Sequence, residues 1–155
     1  MWAAYASRGV RLAVAGTGCR AFAAQAAACG SGREMLSQQR WAVVGRGSNA
    51  IVQQLLAHLA ASCWESNGRT VSHVDPSGAT SGVPKALADL PQDAAVDVVD
   101  LCVNPAKYGV QVIEDCKARG IQNVFIQPGA GGPAIEAKCK EAGISFYAGC
   151  VLQEL

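Results

Sequence analysis

The stretch Trp41-Ala-Val-Val-Gly-Arg-Gly-Ser-Asn49 decides the fold. Its four apolar residues, ended by Gly45, predict a strand over residues 41–44 that is buried on both faces, as in a parallel sheet. Ser48 or Asn49 can cap a following helix that runs to about residue 63, because the apolar residues there recur on one side at helical spacing. A strand, a glycine turn and a helix in this order begin a βαβ unit.

The same alternation continues to the C-terminus. After a turn at Asn67-Gly68, residues 70–74 and the valine-rich residues 96–103 are predicted strands. The other predicted elements are a two-turn helix over 84–90, a helix from Asn104-Pro105 to 119, a strand over 123–127, a helix from Pro133 to 143 and a strand over 144–147. The pattern predicts an α/β fold: a three-layer, Rossmann-like, doubly wound parallel sheet of about five strands.

The segment before this unit has a different composition. Residues 1–40 hold five arginines against one glutamate and contain no proline. An Arg-bearing, Ala-rich, acid-poor leader is typical of an organellar transit peptide, and the alternative is an N-terminal extension of the mature fold. We therefore divide the chain into a leader, 1–39, and a domain, 40–155. The expected location is the mitochondrion, with chloroplast or cytoplasm as alternatives.

Composition excludes several classes of protein. Thirteen basic and twelve acidic residues give a net charge of +1, which does not favour binding to nucleic acid or to an anionic membrane. No apolar run approaches the roughly 20 residues that span a bilayer. The seven cysteines include no C-x-x-C pair, so the sequence predicts reduced core thiols and no metal site.

The predicted ligand site lies at the carboxyl ends of the strands, where open parallel sheets bind ligands. The loop after the first strand offers free N–H groups at Gly47 and a helix N-terminus, both suited to a phosphate. The candidate residues on four such loops are Gly45, Arg46, Gly47, Ser48, Asp75, Pro76, Ser77, Asn104, Pro105, Gln127, Pro128 and Gly129. Gly45-x-Gly47-x-x-Ala50 also fits the dinucleotide pattern, whose acidic residue would have to be Asp75; NAD(P) is therefore an alternative ligand.

The order of the motifs resembles a known family. The matching stretches are Ala42-Val-Val-Gly45, Val74-Asp75-Pro76, Gly82-Val-Pro-Lys-Ala-Leu-Ala-Asp-Leu-Pro91, Val96-Asp-Val-Val-Asp100, Gly120-Ile-Gln-Asn-Val-Phe-Ile-Gln-Pro-Gly129 and Ala142 to Cys150. Together they resemble the CoA-binding Rossmann domain of the small stand-alone CoA-binding proteins, which is similar to the N-terminal domain of the succinyl-CoA synthetase alpha subunit. The resemblance covers roughly residues 40–152.

The resemblance implies where coenzyme A would lie. The Gly-rich loop at residues 45–48 would hold the diphosphate, the loop after Asp75-Pro76 would face the adenosine and its 3′-phosphate, and Asn104-Pro105 with Gln127-Pro128-Gly129 would border the pantetheine. The family tends to carry a basic residue where this chain has Ser77. Lys85 or Arg46 is the expected replacement for that charge.

The sequence points away from catalysis. His58 is predicted to be exposed on a helix, His73 to be packed on a strand or to reach the crevice, and Cys150 to be a core thiol. We expect a non-catalytic module that binds CoA or acyl-CoA. The alternatives are an NAD(P)-binding protein and a scaffold subunit of a larger assembly with a degenerate pocket, which would have a protein partner or a second copy of the chain.

Overall fold

The computed structural model describes residues 24–62 and 69–155. Its five strands form one sheet with every neighbouring pair parallel, in the order β2-β1-β3-β4-β5. The strands are β1 Arg40–Val44, β2 Thr70–Val74, β3 Val98–Leu101, β4 Asn123–Ile126 and β5 Ser145–Ala148. All five predicted strands are present, and the third is shorter than residues 96–103.

Helices cover both faces of this sheet. They are α1 Gly32–Leu36, α2 Ala50–Ala61, α3 Val110–Arg119, α4 Pro133–Ala142 and α5 Val151–Glu154. One apolar cluster joins α1, α2 and α5 to the sheet around Trp41 and Phe125, and the other joins α3 and α4 to it around Ile113 and Ile135. The two clusters confirm the predicted three-layer, doubly wound α/β fold. None of the helices among the described residues is long and apolar enough to cross a membrane.

Glycines end α3 and α4, the two helices on one face of the sheet. Gly120 and Gly143 follow α3 and α4 with φ of 75° and 70°, the left-handed conformation in which a glycine closes a helix. Gly109, just before α3, lies so close to α4 that a Cβ there would be 2.4 Å from Ile135 Cδ1. The glycine therefore sets how closely the two helices approach.

The two-turn helix predicted over residues 84–90 was wrong. Only Leu87–Asp89 is helical, as a single 3₁₀ turn. The Pro84 carbonyl accepts from the Asp75 amide at 2.8 Å. The buried Arg119 guanidinium donates to the carbonyls of Leu87 and Leu90 and, just beyond the segment, to those of Pro91 and Ala94. The Leu87 and Pro91 carbonyls also accept from the amides of Leu90 and Ala94, which are single-turn hydrogen bonds and do not continue as an α-helix.

Residues 25–29, which we call the strap, lie against the amino ends of β3 and β4. Ala26 N donates to Asp97 Oδ1 at 3.2 Å, and Cys29 N donates to Asn123 Oδ1 at 2.6 Å. Next along the chain, α1 buries Met35 and Leu36 in the core. The strap and α1 thus pack on the domain. The targeting role predicted for the leader, whose residues 1–23 lie outside the described residues, stays a prediction, and the Asn67-Gly68 turn also lies outside them.

We expect Asp97→Ala to loosen the strap and β1 together. The Asp97 carboxylate accepts from Ala26 N, from Arg40 N and from the Arg40 guanidinium in a two-pronged ion pair. Its loss should lower the free energy of unfolding by about 2–4 kcal/mol, because it leaves several donors without their acceptor. Urea unfolding followed by circular dichroism measures this. The exposed Asp93→Ala is the control, and equal losses in the two variants would contradict the assignment.

One carboxyl group lies in the middle of the core. Asp100 on β3 is fully buried, and its Oδ1 accepts from Gln127 Nε2 at 2.8 Å. Its Oδ2 has no hydrogen-bond partner among residues 24–62 and 69–155. Burial raises the pKa of Asp100 to about 7 even though the Gln127 hydrogen bond lowers it. The group is therefore protonated in the folded protein at pH values where the unfolded chain is ionised.

This burial makes stability depend on pH in a defined direction. A carboxyl whose pKa rises on folding stabilises the fold at acid pH, and that contribution is lost as pH rises from about 4 to about 7. The asparagine side chain of Asp100→Asn cannot ionise. Between pH 4 and pH 7 the free energy of unfolding should therefore decrease more in the wild type than in this variant, and the two decreases should differ by on the order of 3–4 kcal/mol. Urea unfolding at several pH values tests it. Asp93→Asn should keep the wild-type slope, and an unchanged slope in Asp100→Asn would contradict the prediction.

Candidate functional site

A cavity of about 410 Å³ opens at the carboxyl edge of the sheet. It lies where β1 and β3 are neighbours and the helices that follow them cover opposite faces, the place at which open α/β sheets bind ligands. Its walls are formed by Arg46, Asn49, Asp75, Pro76, Ser77, Cys102, Val103, Asn104, Lys107, Tyr108, Pro128, Gly129 and Ala130. All four predicted loops contribute to these walls.

The predicted residues divide into two groups. Those that line the cavity are Arg46, Asp75, Pro76, Ser77, Asn104, Pro128 and Gly129, and those that do not are Gly45, Gly47, Ser48, Pro105 and Gln127. Gly45 has a packing role, since a Cβ there would lie 2.5 Å from Val52 Cγ2 and 2.7 Å from the Cys102 carbonyl oxygen. It lets β1 come close to α2 and to the loop after β3.

The expectation of a free amide at Gly47 was wrong. Gly47 N donates to Thr80 Oγ1 at 3.1 Å and, at 3.5 Å, to Asp75 Oδ2. A Cβ on Gly47 would lie 2.4 Å from Thr80 Oγ1, so the loop after β2 lies directly over this glycine. The predicted seat of the diphosphate is occupied by the protein's own side chains.

Asp75 is the centre of this arrangement. Its Oδ1 accepts from the amide and hydroxyl of Ser77 at 3.0 and 2.5 Å. Its Oδ2 accepts from the amide and hydroxyl of Thr80 at 3.1 and 2.5 Å, besides Gly47. Burial raises the pKa of Asp75, but these hydrogen bonds together lower it to about 2. A permanently ionised carboxylate thus takes the donors that a phosphate would otherwise use.

The segment after β3 supplies residues that the sequence analysis missed. Asn104 caps the following turn, as predicted: its Oδ1 accepts from Ala106 N at 3.0 Å and from Lys107 N at 3.2 Å. The turn itself, Pro105–Gly109, is π-helical, a rare and wider turn that is frequent at functional sites. Lys107 and Tyr108 from this turn line the cavity, and Lys107 Nζ lies 5.1 Å from the centre of the Tyr108 ring.

Gln127 does not border the cavity, in contrast to the expectation. It is 3% exposed, and its side-chain amide donates to Asp100 in the core. Cys102, which was not predicted, lines the first cavity instead. Burial, with the Asp100 carboxyl close by, raises the pKa of Cys102 to about 11. This thiol remains protonated at neutral pH.

The two histidines and Cys150 lie elsewhere. His73 Nε2 lies 2.9 Å from the Gly45 carbonyl oxygen, and because a carbonyl only accepts, this nitrogen carries the proton. His58 is half-buried on α2, not fully exposed as predicted. Cys150 precedes α5, where its amide donates to Glu154 Oε1 at 2.9 Å. The described residues bring together no group of three metal-ligating side chains.

A second cavity of about 310 Å³ adjoins the first and shares Pro76 and Tyr108 with it. Its remaining walls are Val44, Val74, Lys85, Ala86, Leu87, Gln111, Val112 and Asp115. The cations thus divide between the two cavities: Arg46 and Lys107 belong to the first, and Lys85 belongs to the second. Among the described residues, none of the three forms an ion pair.

Comparison with solved structures finds the same fold in small microbial proteins. A conserved hypothetical protein from Pyrococcus furiosus is 27% identical, with a TM-score of 0.62 over 76% of this chain and 100% of its own. A hypothetical protein from Pyrococcus horikoshii OT3 is 27% identical, with a TM-score of 0.59 over 79% of this chain and 85% of its own. A Thermus thermophilus structure, 24% identical, shares the fold with a TM-score of 0.63 over 79% and 92%.

Comparison by sequence gives the family. No curated protein matches the chain. The sequence profile described as "CoA binding domain" matches residues 39–155, which include every strand of the sheet and every loop that lines the two cavities. The chain belongs to the CoA-binding domain family.

Proposed function

We propose that the protein binds coenzyme A or an acyl-CoA without transforming it. Family membership supports CoA binding. The observation that carries the placement is that two cations on the walls of the first cavity, Arg46 and Lys107, form no ion pair with any described residue. Arg46 comes from the loop after β1 and Lys107 from the turn after β3. A diphosphate between them gains charge-assisted hydrogen bonds from both sides of the crevice.

The proposal moves the diphosphate away from Gly47. The amide of that glycine donates to Thr80 and Asp75, so the Gly-rich loop contributes Arg46 to the ligand and not its backbone. The pantetheine arm would run along Asn104, Pro128 and Gly129, which also line the cavity. The adenosine would lie toward Pro76, where the first cavity meets the second.

The titratable groups at the site favour binding over catalysis. A nucleophilic thiol needs a lowered pKa, whereas burial raises the pKa of Cys102 to about 11. A general acid or base needs a pKa near the working pH, whereas hydrogen bonds bring the pKa of Asp75 to about 2 against the effect of burial. His73 is held by the Gly45 carbonyl. Cys102 and Asp75 therefore suit the wall of a binding site better than a reaction centre, and His73 lines neither cavity.

The structure disfavours one alternative function, NAD(P) binding, and is compatible with the other, a scaffold subunit. In a dinucleotide-binding protein the acidic residue after the second strand hydrogen-bonds the ribose, but both Asp75 oxygens already accept from the loop. This disfavours NAD(P). The occupied Gly47 amide is what a scaffold subunit with a degenerate pocket would show, so the scaffold function remains the second candidate.

Titration calorimetry of the full chain with CoA separates these possibilities. Arg46→Ala and Lys107→Ala should each weaken CoA binding about tenfold, because each loses one charge-assisted contact of about 1.4 kcal/mol. Arg33→Ala and Lys117→Ala remove exposed cations outside both cavities and should bind like the wild type. Absence of any binding at millimolar CoA would favour the scaffold, and equal affinities in all four variants would refute the placement.

A further inference from the structure

A groove with glycine-rich walls lies at the same edge of the sheet as the first cavity, one pair of strands further along. Its volume is about 350 Å³, and it lies at the carboxyl ends of β4 and β5, where Ile126 and Ala148 are paired in the register. Gly131, Gly132 and Gly149 also line it. We call this space the glycine groove. Its walls of backbone and small or aliphatic side chains suit a small apolar group.

The glycine groove shares Pro128 and Gly129 with the first cavity. These two exposed residues are the tip of a turn in which Ala130 N donates to the Gln127 carbonyl at 2.9 Å. Gly129 has φ of +85°, and a Cβ at this position would meet no atom within 4 Å. Because the tip of the turn carries no side chain at Gly129 and has open space there, a ligand that follows the turn in the first cavity can continue into the groove.

The charge in the wall of the groove is that of Glu136, in the first turn of α4. Its side chain is half-buried and forms no ion pair with any described residue. Lys140, one turn later on α4, lies over the Phe146 ring, with Nζ 5.9 Å from the ring centre. A carboxylate that no cation neutralises repels a second carboxylate brought close to it. The groove therefore disfavours an anionic group.

We propose that the glycine groove holds the acyl group of an acyl-CoA and selects short, uncharged aliphatic acyl groups over those that end in a carboxylate. The proposal rests on the proposed function, since it needs the pantetheine arm along Pro128 and Gly129 to bring the thioester to the groove. Ile126 and Ala148 then contact the hydrocarbon, whose burial favours binding. Glu136 acts against a terminal carboxylate.

The test compares CoA, butyryl-CoA and succinyl-CoA by titration calorimetry of the full-length chain. The two acyl groups have the same number of carbons, and one ends in a methyl group where the other ends in a carboxylate. The wild type should bind butyryl-CoA about fivefold tighter than CoA, because the acyl chain buries apolar surface. It should bind butyryl-CoA about tenfold tighter than succinyl-CoA, because the carboxylate of the latter meets Glu136.

Two variants change the groove without changing the first cavity. Glu136→Gln removes the charge and should bring the affinity for succinyl-CoA to within about threefold of that for butyryl-CoA. Glu141→Gln, exposed on the same helix and outside the groove, should keep the tenfold difference. Ala148 is exposed, so Ala148→Leu can place a larger side chain in the groove; it should lower the affinity for butyryl-CoA to about that for CoA and leave CoA binding unchanged.

The outcomes separate this proposal from the one it rests on. If the wild type binds none of the three ligands, the proposed function itself fails. If it binds all three with equal affinity, or if Glu136→Gln keeps the discrimination against succinyl-CoA, CoA binding stands and the assignment of the groove is refuted. Equal losses of CoA and butyryl-CoA affinity in Ala148→Leu would also refute it. Thermal melts establish that each variant is folded.

Discussion

The pairing of β1 between β2 and β3 is the constraint on which the site depends. After β1 the chain passes to the helices on one face, and after β3 it passes to those on the other. Neither helix covers the carboxyl ends of these strands, so a crevice remains between them. The same divergence brings Arg46 and Lys107 to the crevice from opposite sides. The position of the cations is thus a result of topology and not of their closeness in sequence.

Within that crevice, Asp75 decides which groups remain for a ligand. Its carboxylate satisfies the amides of Gly47, Ser77 and Thr80, and these donors need no external anion. A diphosphate could use them only by displacing an ion with a pKa near 2, held by hydrogen bonds in spite of its burial. Side-chain cations must then do what backbone amides do in other phosphate loops. Long side chains lose rotamer entropy when they bind a ligand. We therefore expect the diphosphate to bind with lower affinity, and with a stronger dependence on salt concentration, than it would at a loop whose backbone amides bind phosphate.

The sequence predicted the alternation of strands and helices because that information is local. Apolar runs mark the strands, and Asn104, Gly120 and Gly143 mark helix ends through contacts within a few residues. The strap was not predictable in this way, since its partners Asp97 and Asn123 lie 71 and 94 residues away. The wrong prediction of a helix over residues 84–90 has the same origin, because two of its carbonyls, those of Leu87 and Leu90, accept from the distant Arg119.

The sequence predicted which loops line the site, but it did not predict which atoms of those loops are available to a ligand. Strand ends at one edge of a sheet are implied by the fold class, and all four loops do line the cavity. Whether the amide of Gly47 is free depends on two acceptors in the loop after β2, the Asp75 carboxylate and the Thr80 hydroxyl, which lie 28 and 33 residues later. The place of Lys107 depends on a π-helical turn, which the Asn-Pro pair does not distinguish from an α-helical one.

That turn also explains why there are two cavities and not one. Tyr108 belongs to it and forms a wall of both spaces, together with Pro76 from the facing loop. π-helical turns are rare and occur mostly as single turns, so the contacts that surround this one matter. Here the Asn104 cap fixes its start, and the close packing of Gly109 on Ile135 fixes its end. The division between a cavity with two cations and a cavity with one therefore depends on this turn, which is held at its start by a residue of the first cavity, Asn104, and at its end by a contact outside both cavities.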